Sequence, residues 1–337
     1  MKVLLYSLYH DFVDSIVYKG LVDNIGKNNV FLYADEIAHI PEYANKISKT
    51  NIINNVDDNF DCIFFFNTSF FIKNFNQVLN KKTSMIKIFM DGIDDFFVRK
   101  IYHHPELNFY FKRELYNKKI NIDYKIEWYL RYLYEFARLP NKIGSYKGQF
   151  SYWNMPIGIA ETKKFKNLKP FPVTSNFYEH RIKKRQVKYD ISFIGHNNNP
   201  ERNRYLKFIE KMNKKRVIHG YLSNRILEKK RYIKKIEESK LGLSLRGVGC
   251  STWRYWEIPS LGTALISQKL PIYIPDDFID GQSALYFNNY DELMYKIKKY
   301  AIDSNEWKEI GKNGYKHFVK YHNPKIRVKQ HILNIIK

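Results

Sequence analysis

The sequence predicts an α/β protein made of two successive parallel-sheet halves. Short apolar runs alternate with amphipathic stretches over both halves of the 337 residues, which is the βαβ rhythm of a parallel sheet with helices on its faces. Several runs are apolar throughout rather than alternating, as strands buried on both sides require. A proline-bearing polar passage over residues 140–190 separates the two rhythms.

Val3–Leu8 reads as the first strand. A helix capped at Asp14 or Ser15 follows to about Asn28, with Ile16, Val17, Leu21 and Ile25 on one face. Val30–Tyr33 is a second strand and Asp61–Phe66 a third, continuously apolar one. Phe71–Leu79 reads as helix, Ile86–Met90 as strand ending at Asp91-Gly92, and Leu107–Phe111 as strand. Met155–Ile159 is the last strand expected before Pro170 and Pro172. The second half opens with strand Tyr189–Ile194, the turn Gly195-His196, and a helix over 201–213. Strands are then expected at Val217–Gly220, Leu241–Leu245, Ala264–Ser267 and Ala284–Phe287. Helices are expected at Ser223–Ser239, Asp291–Ala301, Asn305–Tyr321 and Lys325–Ile336.

Composition bounds the class. Aromatic residues are 17% and hydrophobic residues 44% of the chain, too many for a disordered one. Two cysteines, Cys62 and Cys250, exclude a disulfide scaffold or a cysteine-rich zinc site and fit a reducing compartment. The first apolar run is too short for a signal peptide, and no stretch reaches 18 apolar residues, so a cytoplasmic protein is expected. The net charge of +23 is concentrated: residues 161–240 hold 23 Lys and Arg against 8 Asp and Glu. Part of the excess matches the Lys, Asn, Ile, Phe and Tyr usage of an AT-rich genome. The clustered part favours anionic partners, including peripheral contact with the inner face of a membrane. No nucleic-acid module signature is present, and neither Gly-x-Gly-x-x-Gly nor a P-loop occurs.

The most informative stretch is 244–266. A strand-like run ends in a glycine turn, a cap follows at Ser251 or Thr252, and Arg254 and Glu257 stand three apart. This places a cation and a carboxylate on one side of a helix start, where backbone N–H groups already attract phosphate. A guanidinium matches phosphate oxygens bidentately; the plainer reading of Arg254 is an ion pair with Glu257. Arg246 is a second phosphate candidate or a solvated side chain. Gly195 permits close backbone approach, and His196 faces either a ligand or only its own turn. Arg202 and Arg204 fall on the next helix, where a solvated face is expected. Trp253 and Trp256 pack in the core or stack on a base.

Four segments, "YDISFIGHNNNPERNRYLKFIEKM", "TWRYWEIPSLGTALIS", "DDFIDGQSALYFNNYDEL" and "NEWKEIGKNGYKHFVKYHNPKIR", resemble in order and spacing the C-terminal domain of GT-B glycosyltransferases. The likeness is to the group related to the spore maturation protein CgeB and to glycosyl transferase group 1, with some similarity to exostosin-type enzymes. "DGIDD" and "YFKREL" extend it into the first half. The resemblance implies two Rossmann-like domains facing an interdomain cleft: residues 1–175 on the acceptor side, 176–322 holding the donor, and a C-terminal helix over 323–337. It implies sugar transfer from a nucleotide-diphosphate donor to a glycan or lipid-linked acceptor, as in surface glycan synthesis, without a metal or other cofactor. The implied donor contacts are Gly195, His196, Arg246, Ser251, Thr252, Arg254, Glu257, Gln282 and Ser283. In many retaining relatives two Glu residues, eight apart, bracket this helix start. Glu257 stands at the second position and Gly249 at the first, so the stereochemical outcome stays open.

An inverting transferase needs an acceptor-side base. Asp11 and Asp14 follow the first strand and Asp91 a later one, so these are the candidates. The alternative for Asp91, Asp94 and Asp95 is an Asp-Gly type turn. A non-catalytic protein binding a nucleotide or an anionic glycan is the competing function.

Overall fold

The structure is a computed structural model that describes residues 1–7, 12–33, 51–57, 59–67, 69, 72–92, 97–115, 156–159, 168–172, 174–175, 185–196, 199–247 and 250–336. The chain divides into two compact units. One comprises Met1–Pro172 with Pro271–Ile274 and Val328–Lys337; the other comprises Val173–Leu270 with Pro275–Arg327.

The first unit contains β1 (Val3–Tyr6), α1 (Phe12–Ile25), β2 (Val30–Tyr33), β3 (Ile52–Ile53), β4 (Cys62–Phe66), α2 (Phe75–Asn80), β5 (Ile86–Asp91), β6 (Phe97–Arg99), β7 (Phe109–Lys112), β8 (Pro156–Ile159) and β9 (Leu168–Pro170). Seven of these strands form one parallel sheet in the order β3-β2-β1-β4-β5-β7-β9. Every residue of β1 and β4 is buried, which is why both read as unbroken apolar runs. α1 buries Ile16, Val17 and Leu21 of the expected face, together with Val13, while Ile25 is only half-buried; the helix begins at Phe12, ahead of the caps expected at Asp14 or Ser15. Met155–Ile159 is expected as the last strand of this half, but β9 follows it and takes the edge of the parallel sheet. β8 itself pairs antiparallel with β6 in a separate two-stranded ribbon. Two later segments complete this unit. Tyr273 donates its backbone N–H to the Leu115 carbonyl at 2.7 Å, and Lys329–Leu333 packs against α1.

The second unit contains β10 (Tyr189–Ile194), α3 (Pro200–Lys214), β11 (Gly220–Ser223), α4 (Lys229–Glu237), β12 (Ser239–Ser244), α5 (Trp253–Ser260), β13 (Ala264–Gln268), β14 (Leu285–Phe287), α6 (Tyr290–Ile297), α7 (Trp307–His317) and α8 (Pro324–Val328). Its five strands are parallel, in the order β11-β10-β12-β13-β14. The order reverses direction at β10, whose neighbours β11 and β12 lie on opposite sides. Ligands of doubly wound sheets bind beyond the strand ends at such a point. Gly242 sets the distance from β12 to α5, since a Cβ there would lie 2.6–2.9 Å from the Ile258 side chain.

Two expectations fail beside this point. The strand expected at Val217–Gly220 begins at Gly220, because Arg216 turns the chain at φ 57° and Val217 closes the turn onto Met212. The helix expected over Ser223–Ser239 is only Lys229–Glu237. Ser223 Oγ accepts the Arg225 N–H at 3.3 Å and turns the chain first, so residues 224–228 form a loop.

Candidate functional site

At the strand reversal of the second unit lies a cavity of about 310 Å³. It is lined by Ile194, Gly195 and His196 from the end of β10, Ile226 and Leu227 from the loop after β11, Lys229 and Tyr232 of α4, and Trp253, Arg254 and Glu257 of α5. All ten come from one unit.

Arg254 lies across the end of β10. Its Nη1 donates to the Ile194 carbonyl at 3.0 Å, and the guanidinium sits 4.7 Å from the Phe193 ring centre. Burial lowers its pKa, while Tyr232 and Glu257 work in the opposite direction. Gly195 makes this placement possible. A Cβ at residue 195 would fall 2.3 Å from Nη1 of Arg254 and 3.0 Å from Cζ, at a φ of +156°.

Glu257 follows Arg254 by one helical turn. Its Oε2 accepts the Tyr232 hydroxyl at 2.5 Å. Burial raises the carboxyl above its ordinary range, against the Tyr232 hydrogen bond and the Arg254 and Lys229 charges, which lower it. Burial and the neighbouring Glu257 hold the Tyr232 phenol well above its ordinary pKa, so the phenol is the donor. The cavity therefore has apolar walls, a guanidinium, a carboxylate and an exposed histidine at one strand-end. That set suits a ligand with a flat apolar part, hydroxyls and anionic oxygens.

The structure gathers four of the expected donor contacts, Gly195, His196, Arg254 and Glu257, in this lining. The others lie outside it. The Arg246 side chain pairs with Glu201, and its backbone N–H meets Gln268 Oε1 at 3.0 Å. Thr252 is the residue before α5, but its hydroxyl makes no cap; Oγ1 lies 3.1 Å from Ser244 Oγ. Ser251 is buried. Ser283 Oγ accepts the Ile279 N–H at 2.8 Å as a turn contact, and Gln282 is exposed on that turn. Trp256 is fully buried against His322, ring centres 5.0 Å apart, so it packs the core; Trp253 lines the cavity. Gly249 lies outside the described residues.

Two functional features escaped sequence reasoning. Arg202, expected on a solvated face, is buried and ties the strand-end loops together. Its Nε donates to the Arg246 carbonyl at 3.0 Å, Nη1 to the His196 carbonyl at 2.5 Å and Nη2 to the Leu245 carbonyl at 3.2 Å. Its neighbour Asn199 caps α3, accepting from Glu201 N and Arg202 N, and donates to the Gly247 carbonyl at 2.7 Å. The Asn-Pro-Glu-Arg run was the available signal: a cap followed by an arginine within the first turn. The second feature is Tyr232, which sits 25 residues before its partner.

In the first unit, Asp91 is a buried counter-ion. Lys112 Nζ lies 3.1 Å and Arg99 Nε 3.7 Å from its Oδ2. The Tyr110 hydroxyl donates to it at 2.5 Å and Asn67 Nδ2 to Oδ1 at 3.2 Å. Burial would raise its pKa, but Lys112 and Arg99, with the hydrogen bonds of Tyr110 and Lys112, bring it below the ordinary value. A carboxylate so stabilised is a weak proton acceptor, which removes the reason for choosing it as a base. Asp14 is buried and accepts the Ser7 hydroxyl at 2.5 Å. Asp11, Asp94 and Asp95 lie outside the described residues. Among the described residues, no group of three or more His, Cys, Asp or Glu gathers as a metal site, and no helix is long and apolar enough to cross a membrane.

Comparisons with known proteins cover the C-terminal part of the chain by sequence and nearly all of it by structure. Residues 182–332 match the model of the glycosyl transferase-like family. No curated protein matches the chain by sequence. An alpha-glucosyltransferase solved with UDP and a 13-mer DNA superposes with a TM-score of 0.56 at 11% identity, covering 99% of this chain and 98% of that one. A glycosyltransferase from Rickettsia africae ESF-5 gives 0.53 at 10% identity, covering 100% and 98%. Sucrose-phosphate synthase from Thermosynechococcus elongatus gives 0.50 at 10% identity, covering 99% and 98%. The chain therefore has the α/β GT-B fold, with two Rossmann-like parallel-sheet domains, and its second domain carries the match to the glycosyl transferase-like family.

Proposed function

We propose that this protein is a glycosyltransferase that takes a nucleotide-diphosphate sugar as donor and a glycan or lipid-linked acceptor. The observation that carries this reading is the cavity at the β10 strand end, where Arg254 and Glu257 line one wall. The neighbour solved with UDP and the family match over residues 182–332 support it. In this reading the apolar Ile226 and Leu227 meet the base, Glu257 a ribose hydroxyl, and Arg254 with His196 the diphosphate.

The reaction is substitution at the anomeric carbon: the acceptor oxygen bonds to that carbon as its bond to the diphosphate oxygen breaks, and the acceptor's hydroxyl proton passes to a base or to the departing diphosphate. Negative charge grows on the leaving diphosphate. Arg254 is held in advance by Ile194 and Phe193, so it stabilises that charge without reorganising. Lys229 lines the cavity, and the exposed cations Arg225, Lys230 and Arg231 stand next to lining residues in the chain; such a charge cluster favours anionic donors and acidic membrane surfaces.

Donor hydrolysis and transfer, scanned over nucleotide sugars with wild type and Arg254→Ala, test the reading. Turnover by wild type that falls at least 100-fold in a folded Arg254→Ala protein is expected. Near-normal turnover by the variant refutes the site. Tight nucleotide binding by a wild type that turns over none of the sugars refutes the enzyme.

A further inference from the structure

The Glu257 carboxylate accepts one hydrogen bond among the described residues, from the Tyr232 hydroxyl to Oε2. Both residues line the cavity. The contact occupies one carboxylate oxygen and leaves Oε1 for a ligand. It also joins two elements: Tyr232 is on α4, in its first turn, and Glu257 is on α5. The residues immediately before α4, Ile226 and Leu227, form the apolar wall. A carboxylate on a three-torsion side chain rotates freely unless something holds it, and orientation is what a hydroxyl-reading acceptor needs.

We propose that Tyr232 is a positioning residue for the donor nucleotide: by donating to Oε2 it fixes the Glu257 carboxylate so that Oε1 is presented to a single ribose hydroxyl. This rests on the nucleotide-sugar reading and deepens it. Tyr232 acts through Glu257 and takes no part in the chemistry. Two consequences follow. Discrimination between a ribonucleotide and its deoxy counterpart depends on Tyr232. The proton affinity of Glu257 depends on it as well, since the phenol stabilises the charged carboxylate.

The charged and titratable groups facing Glu257 are Tyr232 and Lys229 from α4, Arg254 from its own helix, and His196 from the β10 turn. The pH measurements are made in a His196→Asn background, which removes the imidazole from the cavity wall and leaves Glu257 as the carboxyl under test. The experiment is calorimetric titration of the full chain with UDP, GDP and their 2′-deoxy and 3′-deoxy forms, for wild type, Tyr232→Phe and Glu257→Gln. Thermal unfolding accompanies each as a check on folding. Tyr232→Phe is expected to weaken the ribonucleotide roughly 5- to 10-fold and to leave one deoxy form nearly unchanged. It is also expected to move the acidic loss of binding to higher pH, because the carboxylate has lost a stabilising donor. Glu257→Gln is expected to abolish that acidic limb. Equal weakening of ribo and deoxy forms, or an unmoved acid limb, overturns the proposal and shows Tyr232 to be packing only. If neither diphosphate binds wild type, the donor reading itself falls and this proposal with it.

Discussion

Replacing Gly195 with alanine tests the site without touching a polar group. The added Cβ would stand 2.3 Å from Nη1 and 3.0 Å from Cζ of Arg254. Relief requires the guanidinium to move by about 1 Å, since van der Waals contact begins near 3.5 Å. That displacement breaks the 3.0 Å hydrogen bond to the Ile194 carbonyl and unstacks Arg254 from Phe193. The obstacle is the end of a long side chain rather than backbone, so the fold accommodates it; strain at φ +156° adds on the order of 1 kcal/mol. The larger cost falls on the ligand. A misplaced guanidinium loses charge-assisted hydrogen bonds to phosphate, about 1.5–3 kcal/mol, or roughly 10- to 150-fold in Kd. Calorimetric titration with UDP and GDP measures this, with thermal unfolding alongside. The effect should vanish in an Arg254→Ala background, where the Cβ has nothing to displace, so the two substitutions must be strongly non-additive. Binding by Gly195→Ala within twofold of wild type, or additivity in the double variant, refutes the reasoning.

Three further outcomes follow from the same geometry. Arg246→Ala should change nucleotide affinity less than about threefold, because that side chain is paired with Glu201 outside the cavity lining; a loss as large as that of Arg254→Ala would return it to the site. Arg202→Met removes three donors to strand-end carbonyls, of which that of Leu245 is buried, and should lower stability by roughly 2–4 kcal/mol, read as a shift in the urea midpoint. Asp91→Asn leaves Lys112 and Arg99 without their buried counter-charge and should cost about 3–5 kcal/mol. Because the folded pKa of Asp91 lies below its unfolded value of 3.8, its contribution is present above that value and is lost as the pH falls through the folded pKa. Urea titrations between pH 2 and 6 should therefore show a shallower acid limb in Asp91→Asn than in wild type.

What could be read from the sequence was what depends on local pattern. Runs such as Cys62–Phe66 and Leu241–Ser244 are buried strands because apolar side chains on both faces leave no other arrangement. The helix start bearing Arg254 and Glu257 was legible because three-residue spacing puts both on one side of a helix. Elements failed where a single backbone angle or a side-chain turn decided them. Val217 has the β-branched shape of a strand residue, yet Arg216 at φ 57° keeps it in a turn. Residues 224–228 carry helix-forming side chains, yet Ser223 Oγ holds a turn ahead of them.

The sequence by itself determined two doubly wound halves and the helix start at which phosphate is expected, because apolar periodicity and spacing are properties of neighbouring residues. Only the tertiary structure decided which candidate groups belong together. Arg246 and Arg254 are equal as cations on paper; one meets Glu201 and the other lies over Phe193 at the cavity wall. Gly195 was legible as a place of close approach, but the body that approaches, Arg254, is 59 residues away. Tyr232 carried no mark at all until α4 and α5 stood side by side. Contacts of that separation depend on the strand order β11-β10-β12, which brings strand ends distant in the chain to one edge of a single cavity.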